Sequence, residues 1–182
     1  MLQASDVMYW HDEFVDVYRQ AFRPPPYEKG ENVVRQFQST LERHAGRDGF
    51  RCVAALRADG SGLCGFGYGY TSQAGQWWHN QVVGQLDSTT AGAWFEDAFE
   101  IVELAVRPQM QGRGIGGQVH DQLLQLVSHR TAVLSTLDSD TRGLRLYRKR
   151  GWQDIRNDFY FSGVREPYLI MGLRLQEIRG MA

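Results

Sequence analysis

The sequence has no long apolar run, no excess of either charge and almost no cysteine. Runs such as IVELAV are interrupted by charges and fall far short of the roughly 20 apolar residues needed to span a bilayer, so no membrane segment is expected. Lys and Arg number 20 against 21 Asp and Glu, a formal net charge of -1. That balance provides no basic field for a polyanion and argues against nucleic acid as the main partner. The amino terminus, MLQASDVMYWHDEF, lacks the basic start, apolar middle and small-residue cleavage site of a secretory signal, and the cytoplasm is the expected compartment. Cys52 and Cys64 are the only cysteines, each within an apolar stretch, FRCVAAL and GLCGFGY; two small buried thiols are expected, rather than a disulfide or a nucleophile. The five histidines, at positions 11, 44, 79, 120 and 129, form no i, i+4 pair and have no acid or thiol cluster nearby, so no metal is expected.

What is there is an ordinary globular composition, 42% hydrophobic and 23% charged over 182 residues, long enough for one domain spanning 1–182 with a real core. Apolar residues at Val7, Trp10, Phe14, Val17, Tyr18 and Ala21 predict a helix from Asp6 to Phe22, which Pro24 to Pro26 stop. A second, weaker helix is expected over Glu28 to Ala45. Phe50 to Ala58 alternates as a strand, ADGSG supplies a turn and Leu63 to Thr71 its hairpin partner. Glycines at 65, 67 and 69 share one face of that partner, leaving room for something to approach its backbone, or else marking a bend or bulge. Gln73 to Ala98, with Trp77, Trp78, His79, Asp87, Trp94, Phe95, Glu96 and Asp97, reads as a long irregular loop, either functional or a plug on the core. Phe99 to Val106 is a strand; Ile115, Val119, Leu123 and Val127 recur every four residues as a helix. Ala132 to Leu137 is a strand, Thr141 to Lys149 a short helix, and Trp152 to Phe161 and Tyr168 to Leu175 two closing strands. The class is mixed α/β.

Between the strand ending at Val106 and the helix beginning near Ile115 lies QGRGIGG, with four glycines in the six residues from Gly112 to Gly117. A strand, a glycine loop and a helix in that order make an anion site, because the first turn of the helix offers backbone NH groups and the positive end of its dipole. A nucleoside triphosphate loop needs Lys and then Ser or Thr after its last glycine, and here Gly117 and Gln118 follow Gly116. A dinucleotide fold places its first glycine at the strand's end and adds several βα units, whereas Arg107 to Gln111 intervene here and only 65 residues follow Gly117. Gly112, Gly114 and Gly117 fit G-x-G-x-x-G by coincidence on this reading, and Asp138 matches no better than a common helix-start acid.

Coenzyme A is the third phosphate ligand to weigh. The string ELAVRPQMQGRGIGG closely resembles the acetyl-CoA loop of the GNAT superfamily of N-acetyltransferases, whose pattern is Gln or Arg, two residues, Gly, one residue, then Gly or Ala. Gln111, Gly114 and Gly116 occupy those positions. Downstream, DTRGLRLYRKRGW is similar to the second family signature, in which an Asn often opens a helix ending in Leu-Tyr, three residues, Gly and an aromatic; these are Leu146, Tyr147, Gly151 and Trp152. The resemblance covers roughly Phe99 to Leu175. Asp140 stands where Asn is frequent and Gly143 where Ala is usual, which weakens a specific cofactor contact at Asp140. The family's first strand precedes its first helix, and Met1 to Ser5 barely suffices for one, so that edge strand is expected to be short or missing.

The resemblance implies a mixed α/β fold of GNAT type, a mostly antiparallel sheet flanked by helices with splayed central strands. It implies direct acetyl transfer from acetyl-CoA to a primary amine of a small molecule or peptide. Backbone groups of Leu104, Ala105 and Val106 would pair with the pantetheine arm and thioester, and the NH groups of Gly112, Arg113, Gly114, Ile115, Gly116 and Gly117 would hold the pyrophosphate, with Gln111 and Arg113 adding contacts. Tyr147 would lie near the sulfur as general acid, or else be a packing residue. Glu100 and Glu103 compete as base: three apart, they face opposite sides of a regular strand, and Glu100, sharing the face of Leu104 and Val106, is preferred. A carboxylate in an apolar strand can be raised towards neutrality by desolvation, as a base requires. The acceptor would enter past RPPPYEKG and the segment around Trp77, Trp78 and Trp94, whose aromatic faces and acids suit a cation. A homodimer is compatible with this reading, and a non-catalytic acyl-CoA-binding domain is its alternative.

Overall fold

A computed structural model describes residue 2, residues 4–125 and residues 127–175. The elements run α1 (Ala4–Tyr9), α2 (His11–Phe22), α3 (Glu31–Ala45), β1 (Arg51–Leu56), β2 (Leu63–Thr71), α4 (Trp77–Val83), α5 (Ser88–Phe95), β3 (Ala98–Val106), a 3-10 turn at Pro108–Met110, α6 (Ile115–Leu124), β4 (Thr131–Leu137), α7 (Arg142–Lys149), β5 (Gln153–Phe159) and β6 (Tyr168–Arg174). The strands form one six-stranded sheet in the order β1-β2-β3-β4-β6-β5. The β1/β2, β4/β6 and β5/β6 pairs are antiparallel, and β3/β4 is parallel. This is the mostly antiparallel α/β class expected.

The chain divides into two compact units, Met1–Tyr70 with Val102–Val127, and Thr71–Ile101 with Ser128–Ala182. In the first, Phe14, Tyr18, Phe37, Leu41, Phe66 and Tyr68 form the centre of a buried cluster. Tyr18 and Phe37 stack at 3.9 Å between centroids, and Phe14 meets Phe66 edge-on at 4.7 Å. The expected first helix is broken at Trp10 into α1 and α2, yet Trp10 N donates to Asp6 O and Phe14 N to Trp10 O, so its apolar spacing survives. The second helix begins at Glu31, three residues later than the spacing implied. Glu28 has φ 46°, a left-handed conformation that helix interiors exclude. The amino-terminal edge strand is reduced to a single antiparallel bridge between Leu2 and Cys52; Met1 and Gln3 lie outside the described residues.

The room beside the glycines of β2 is filled by the protein itself. A Cβ at Gly65 would fall 2.7 Å from Ala105 O, and one at Gly67 would fall 2.9 Å from Val119 Cγ1 of α6. Close packing of β3 and α6 is therefore what the glycines permit. Cys52 and Cys64 are both buried and free, and burial pushes the Cys52 thiol up to about 12.

The second unit packs Val82, Phe95, Ala98, Val133, Phe159 and Ile170 together. Here the structure corrects the reading of Gln73 to Ala98 as a long irregular loop, because it contains α4 and α5. Asp87 starts α5 by accepting from Thr90 N at 2.9 Å and from Thr90 Oγ1 at 2.7 Å. That N-cap, D-S-T-T, is a short signal easily hidden among aromatics. Gly172 of β6 is a contact glycine of another kind: a Cβ there would lie 2.4 Å from Trp94 Cε3.

Candidate functional site

The glycine loop belongs wholly to the first unit. It starts from a fixed base: Arg107 N donates to Cys64 O at 2.9 Å, Met110 N closes the 3-10 turn on Arg107 O at 2.9 Å, and Gln111 Nε2 donates back to Val106 O at 3.0 Å. Past Gln111 the chain turns through two left-handed glycines, Gly112 at φ 77° and Gly114 at φ 83°. A residue with a Cβ pays a conformational penalty at such angles. Gly114 is the N-cap of α6 and brings no side-chain cap to it. The first NH groups of α6, at Ile115, Gly116 and Gly117, therefore point out of the helix start with no intrahelical acceptor. Gly112, Arg113 and Gly114 are exposed, Ile115 and Gly116 half-buried and Gly117 buried. A Cβ placed on Gly114 meets nothing within 4 Å, so open space lies in front of the helix start. An anionic diphosphate fits this geometry and the helix dipole.

Leu104, Ala105 and Val106 lead into this loop. The β3/β4 ladder runs over Ala98↔Thr131, Phe99↔Ala132 and Glu100↔Val133, so these three residues lie beyond its span. Ala105 is buried in the aromatic cluster of the first unit, and Val102, three residues earlier, packs against the same cluster. Strict two-residue alternation does not give that pattern, so β3 departs from it between these positions. The opposite-face argument for Glu100 and Glu103, which assumed a regular strand, loses its footing.

Glu103, in the first unit, is half-buried. Burial raises its carboxyl above the ordinary glutamate range, and the Lys29 charge opposes the rise. Lys29 is itself held in place: Nζ donates to Tyr18 Oη at 2.9 Å and lies 4.4 Å from the centroid of Phe22. In the sequence, Tyr18 stands out only as part of the apolar helix face and Lys29 only as part of RPPPYEKG; their pairing was not legible, since α2 and the loop before α3 meet only in the folded chain.

Glu100, Asp140 and Tyr147 belong to the second unit. Glu100 is 3% exposed. Tyr147 is buried on α7, which Thr141 caps by accepting from Leu144 N at 3.0 Å. Its ring lies 5.6 Å from that of Trp152, and Trp152 N donates to Tyr147 O as the helix ends. The L-Y-x-x-x-G-W string thus encodes a helix end, with Gly151 at φ 78° as the left-handed stop. Asp140 is exposed and paired with Arg145.

The aromatic segment commits many of its groups to other parts of the second unit. Trp78 Nε1 donates to Ser135 Oγ at 3.0 Å, and the Arg174 guanidinium lies over Trp94 at 4.4 Å. Glu96 pairs with Arg130 at 3.2 Å, and Asp97 accepts from Arg130 N at 3.0 Å. Trp77 remains 58% exposed. Among the described residues no group of three or more His, Cys, Asp or Glu could hold a metal, and no helix is long and apolar enough to cross a membrane.

Sequence reasoning missed the group that anchors the loop. Arg107, 4% exposed, donates from Nε to Leu63 O at 2.7 Å, from Nη2 to Glu13 Oε2 at 3.1 Å and from Nη1 to Asp16. A legible signal existed: an arginine directly after an apolar strand, and two acids three apart on an amphipathic helix.

Comparison with known proteins adds to this geometry. The model of the Acetyltransferase (GNAT) family matches residues 10–152. The chain is 32% identical over 130 residues to the GCN5-like protein acetyltransferase Rv2170 of Mycobacterium tuberculosis, a match covering 67% of this chain and 63% of that relative's length. Among solved structures, it resembles an aminoglycoside 6'-acetyltransferase type Ii at a TM-score of 0.63 and 19% identity, over 92% of this chain and 91% of that one. It also resembles the ribosomal-protein-S18-alanine N-acetyltransferase of Escherichia coli at 0.61 and 16%, over 96% and 90%. An aminoglycoside 6'-N-acetyltransferase complexed with coenzyme A gives 0.59 and 17%, over 91% and 90%. At these identities the structural matches speak for the fold alone.

Proposed function

Because the chain belongs to the GNAT family of acetyltransferases, we propose that it acts as one domain over 1–182 and moves an acetyl group from acetyl-CoA directly to a primary amine of a small molecule or peptide. The observation that carries this reading is the loop at the start of α6: two left-handed glycines, helix NH groups facing open space, and a base fixed by buried hydrogen bonds. Such a site holds a diphosphate without a lysine or a metal. Acetyl-CoA bound there would supply the activated thioester. The remaining work falls to residues of this chain.

Direct transfer forms a C–N bond, breaks a C–S bond and passes one proton from the amine nitrogen to the departing sulfur. The amine nitrogen attacks the thioester carbonyl, the C–S bond then breaks, and the sulfur leaves as a thiolate that takes up a proton. The chain must remove a proton from the amine, stabilise the oxyanion and protonate the thiolate. Backbone NH groups in the stretch Leu104, Ala105 and Val106 serve the oxyanion and the pantetheine arm, and the Tyr147 phenol serves the thiolate.

For the base, two observations favour Glu103 over Glu100. Glu103 is only half-buried as a residue and burial raises its proton affinity, the direction that suits an acceptor of protons; Glu100 is almost wholly enclosed. The nearby Lys29 charge opposes the rise. Glu100 then acts as a structural neighbour on the same strand.

The relative named above is a protein acetyltransferase, and the structural neighbours include enzymes named for aminoglycosides and for the alanine of protein S18. An amine acceptor is the chemistry these share. The test is a panel of primary amines and peptides with acetyl-CoA, following free thiol, beside melting curves with coenzyme A and with NAD. Stabilisation by coenzyme A alone, and thiol release with at least one amine, is the expected result. Stabilisation without turnover across the panel would leave an acyl-CoA-binding domain; stabilisation by NAD alone would overturn the reading.

A further inference from the structure

We propose that Arg107 is a positioning residue for the cofactor loop, clamped by Glu13 and Asp16 of α2 so that the stem of residues 107–111 presents the loop's amides in a binding-ready arrangement. The inference rests on the reading that this loop takes the diphosphate of coenzyme A.

The geometry is that of a fork fully used. Arg107 is 4% exposed, and each of its three nitrogens has an acceptor: Leu63 O at 2.7 Å, Glu13 Oε2 at 3.1 Å and Asp16 Oδ2. Glu13 Oε2 also accepts from Leu63 N at 2.9 Å, so β2, α2 and the residue that follows β3 are tied at one point. On Asp16, burial acts to raise the carboxyl, but the Arg107 guanidinium, with Gln20 and Arg19, holds it below the ordinary aspartate range. The Arg107 backbone is equally committed, its NH to Cys64 O and its carbonyl to Met110 N. Five residues farther on, the chain enters Gly112 and then Gly114, whose left-handed backbone starts α6 without a side-chain cap. A loop of that kind presents its NH groups consistently only if its stem is fixed, because any freedom at the stem must be frozen when the ligand binds. The clamp sits at that stem and far along the chain from the chemistry of Tyr147.

Arg107 is almost wholly enclosed and each of its three guanidinium nitrogens already has an acceptor within the fold, so it acts through the loop. Lysine offers a single point charge in place of the planar fork and could satisfy only part of the set. Glu13 and Asp16 are 35% and 40% exposed at the side chain, so water can solvate them when the guanidinium is removed, and the variant should still fold.

The experiment measures coenzyme A affinity by calorimetry, with melting temperature in the absence of ligand, for the wild type, Arg107→Met, Arg107→Lys and the milder Asp16→Asn. Arg107→Met should weaken coenzyme A binding by about tenfold or more, the scale of one charge-assisted hydrogen bond. Arg107→Lys should recover part of the loss, and Asp16→Asn should lose less than Arg107→Met. With an amine found by the panel, KM for acetyl-CoA should rise while kcat at saturation stays near the wild-type value. Hydrogen exchange at the stem amides of Arg107, Met110 and Gln111, which are hydrogen-bonded in the fold, should quicken in the folded variants relative to amides elsewhere, which a merely stabilising ion pair would not cause. If Arg107→Met fails to fold, Asp16→Asn decides on the same readouts. A folded variant set that binds coenzyme A as tightly as the wild type overturns the role of Arg107 alone. A wild type that binds no coenzyme A overturns the loop reading and this inference with it.

Discussion

In the loop of residues 107–117 the side chains are tied down at the base and the backbone is left to face outward at the tip. In the segment of residues 73–98 the reverse holds: aromatic and acidic side chains close on one another and on their own unit. Trp78 donates to Ser135, Trp94 lies under Arg174, Asp87 caps α5, and Glu96 and Asp97 hold Arg130. Both regions are rich in the residue types associated with binding. They differ in whether donors and charges remain uncommitted after the fold has taken its share, and that remainder is what a ligand can use.

The sharpest way to break this contrast is to strain both regions equally. Gly114 has φ 83° and Gly75 has φ 92°, and a Cβ at either meets nothing within 4 Å. Gly114→Glu and Gly75→Glu should therefore cost similar stability, roughly 1–2 kcal/mol for a left-handed non-glycine residue. Only Gly114→Glu sets a carboxylate at the start of α6, where it competes with a diphosphate for the same NH groups. Calorimetry should show coenzyme A affinity lost by about 100-fold or more in Gly114→Glu, the scale of two charge-assisted hydrogen bonds, and unchanged in Gly75→Glu. Equal affinities in the two variants would end the distinction.

The next largest effects concern proton transfer. Tyr147→Phe, in the second unit, should lower kcat and kcat/KM together by roughly 10²-fold, with KM for acetyl-CoA and the fold retained. A variant with full kcat would reduce Tyr147 to its packing on Trp152. Glu103→Gln should lower turnover more than Glu100→Gln and abolish the acidic limb of the pH profile. Because burial raises the Glu103 carboxyl above the ordinary glutamate range, that limb lies above this range in the wild type and moves higher in Lys29→Met, where the opposing charge is gone. The stability sign runs with it: a raised carboxyl favours the fold at low pH, and this contribution is lost as pH rises, so Glu103→Gln should be at least as stable as wild type at neutral pH. A greater loss in Glu100→Gln would return the base to the enclosed carboxylate.

The smallest effects are on acid stability, where a buried histidine of the first unit is set against one of the aromatic segment. His44, buried against Tyr68 Oη at 3.2 Å, is held down to about 3 by burial and by Arg47 and Arg43. His79, in the aromatic segment, is lowered by burial. A lowered histidine contributes stability above its unfolded value near 6.5 and loses it as pH falls, the unfolded state binding the proton first. Denaturant melts between pH 7 and 4 should show a shallower decline for His44→Gln than for the wild type. His79→Gln should change the slope less, and the reverse order would show that the segment is the more enclosed of the two.

Local signals were legible in the sequence. The strand Leu63 to Thr71 has the bounds its alternation implied, and α6 starts after the glycines at Ile115, because periodicity and φ-permissive residues are properties of short stretches. Thr141 and Gly151 mark the ends of α7 for the same reason. What escaped was either a short cap masked by aromatics, as at Asp87, or a contact between residues distant along the chain. Arg107 meets Glu13 and Asp16 across more than 90 positions, and no window on the sequence brings them together. The roles of Glu100 and Glu103 were likewise judged from strand alternation, and the packing of Val102 and Ala105 on one cluster removes that rule at the place where it was applied.

Gly172 and Trp94 carry a consequence for how this chain can change over time. A Cβ at position 172 would stand 2.4 Å from the indole, with Ile155 Cδ1 at 2.8 Å on another side, and rigid rings yield less readily than flexible chains. The two positions are therefore coupled: a side chain at 172 requires the ring at 94 to shift or shrink, and a ring that moves takes with it the aromatic cover of the Arg174 cation. Enlarging 172 first carries the overpacking penalty of roughly 1–3 kcal/mol, so shrinking 94 first is the less costly order of change.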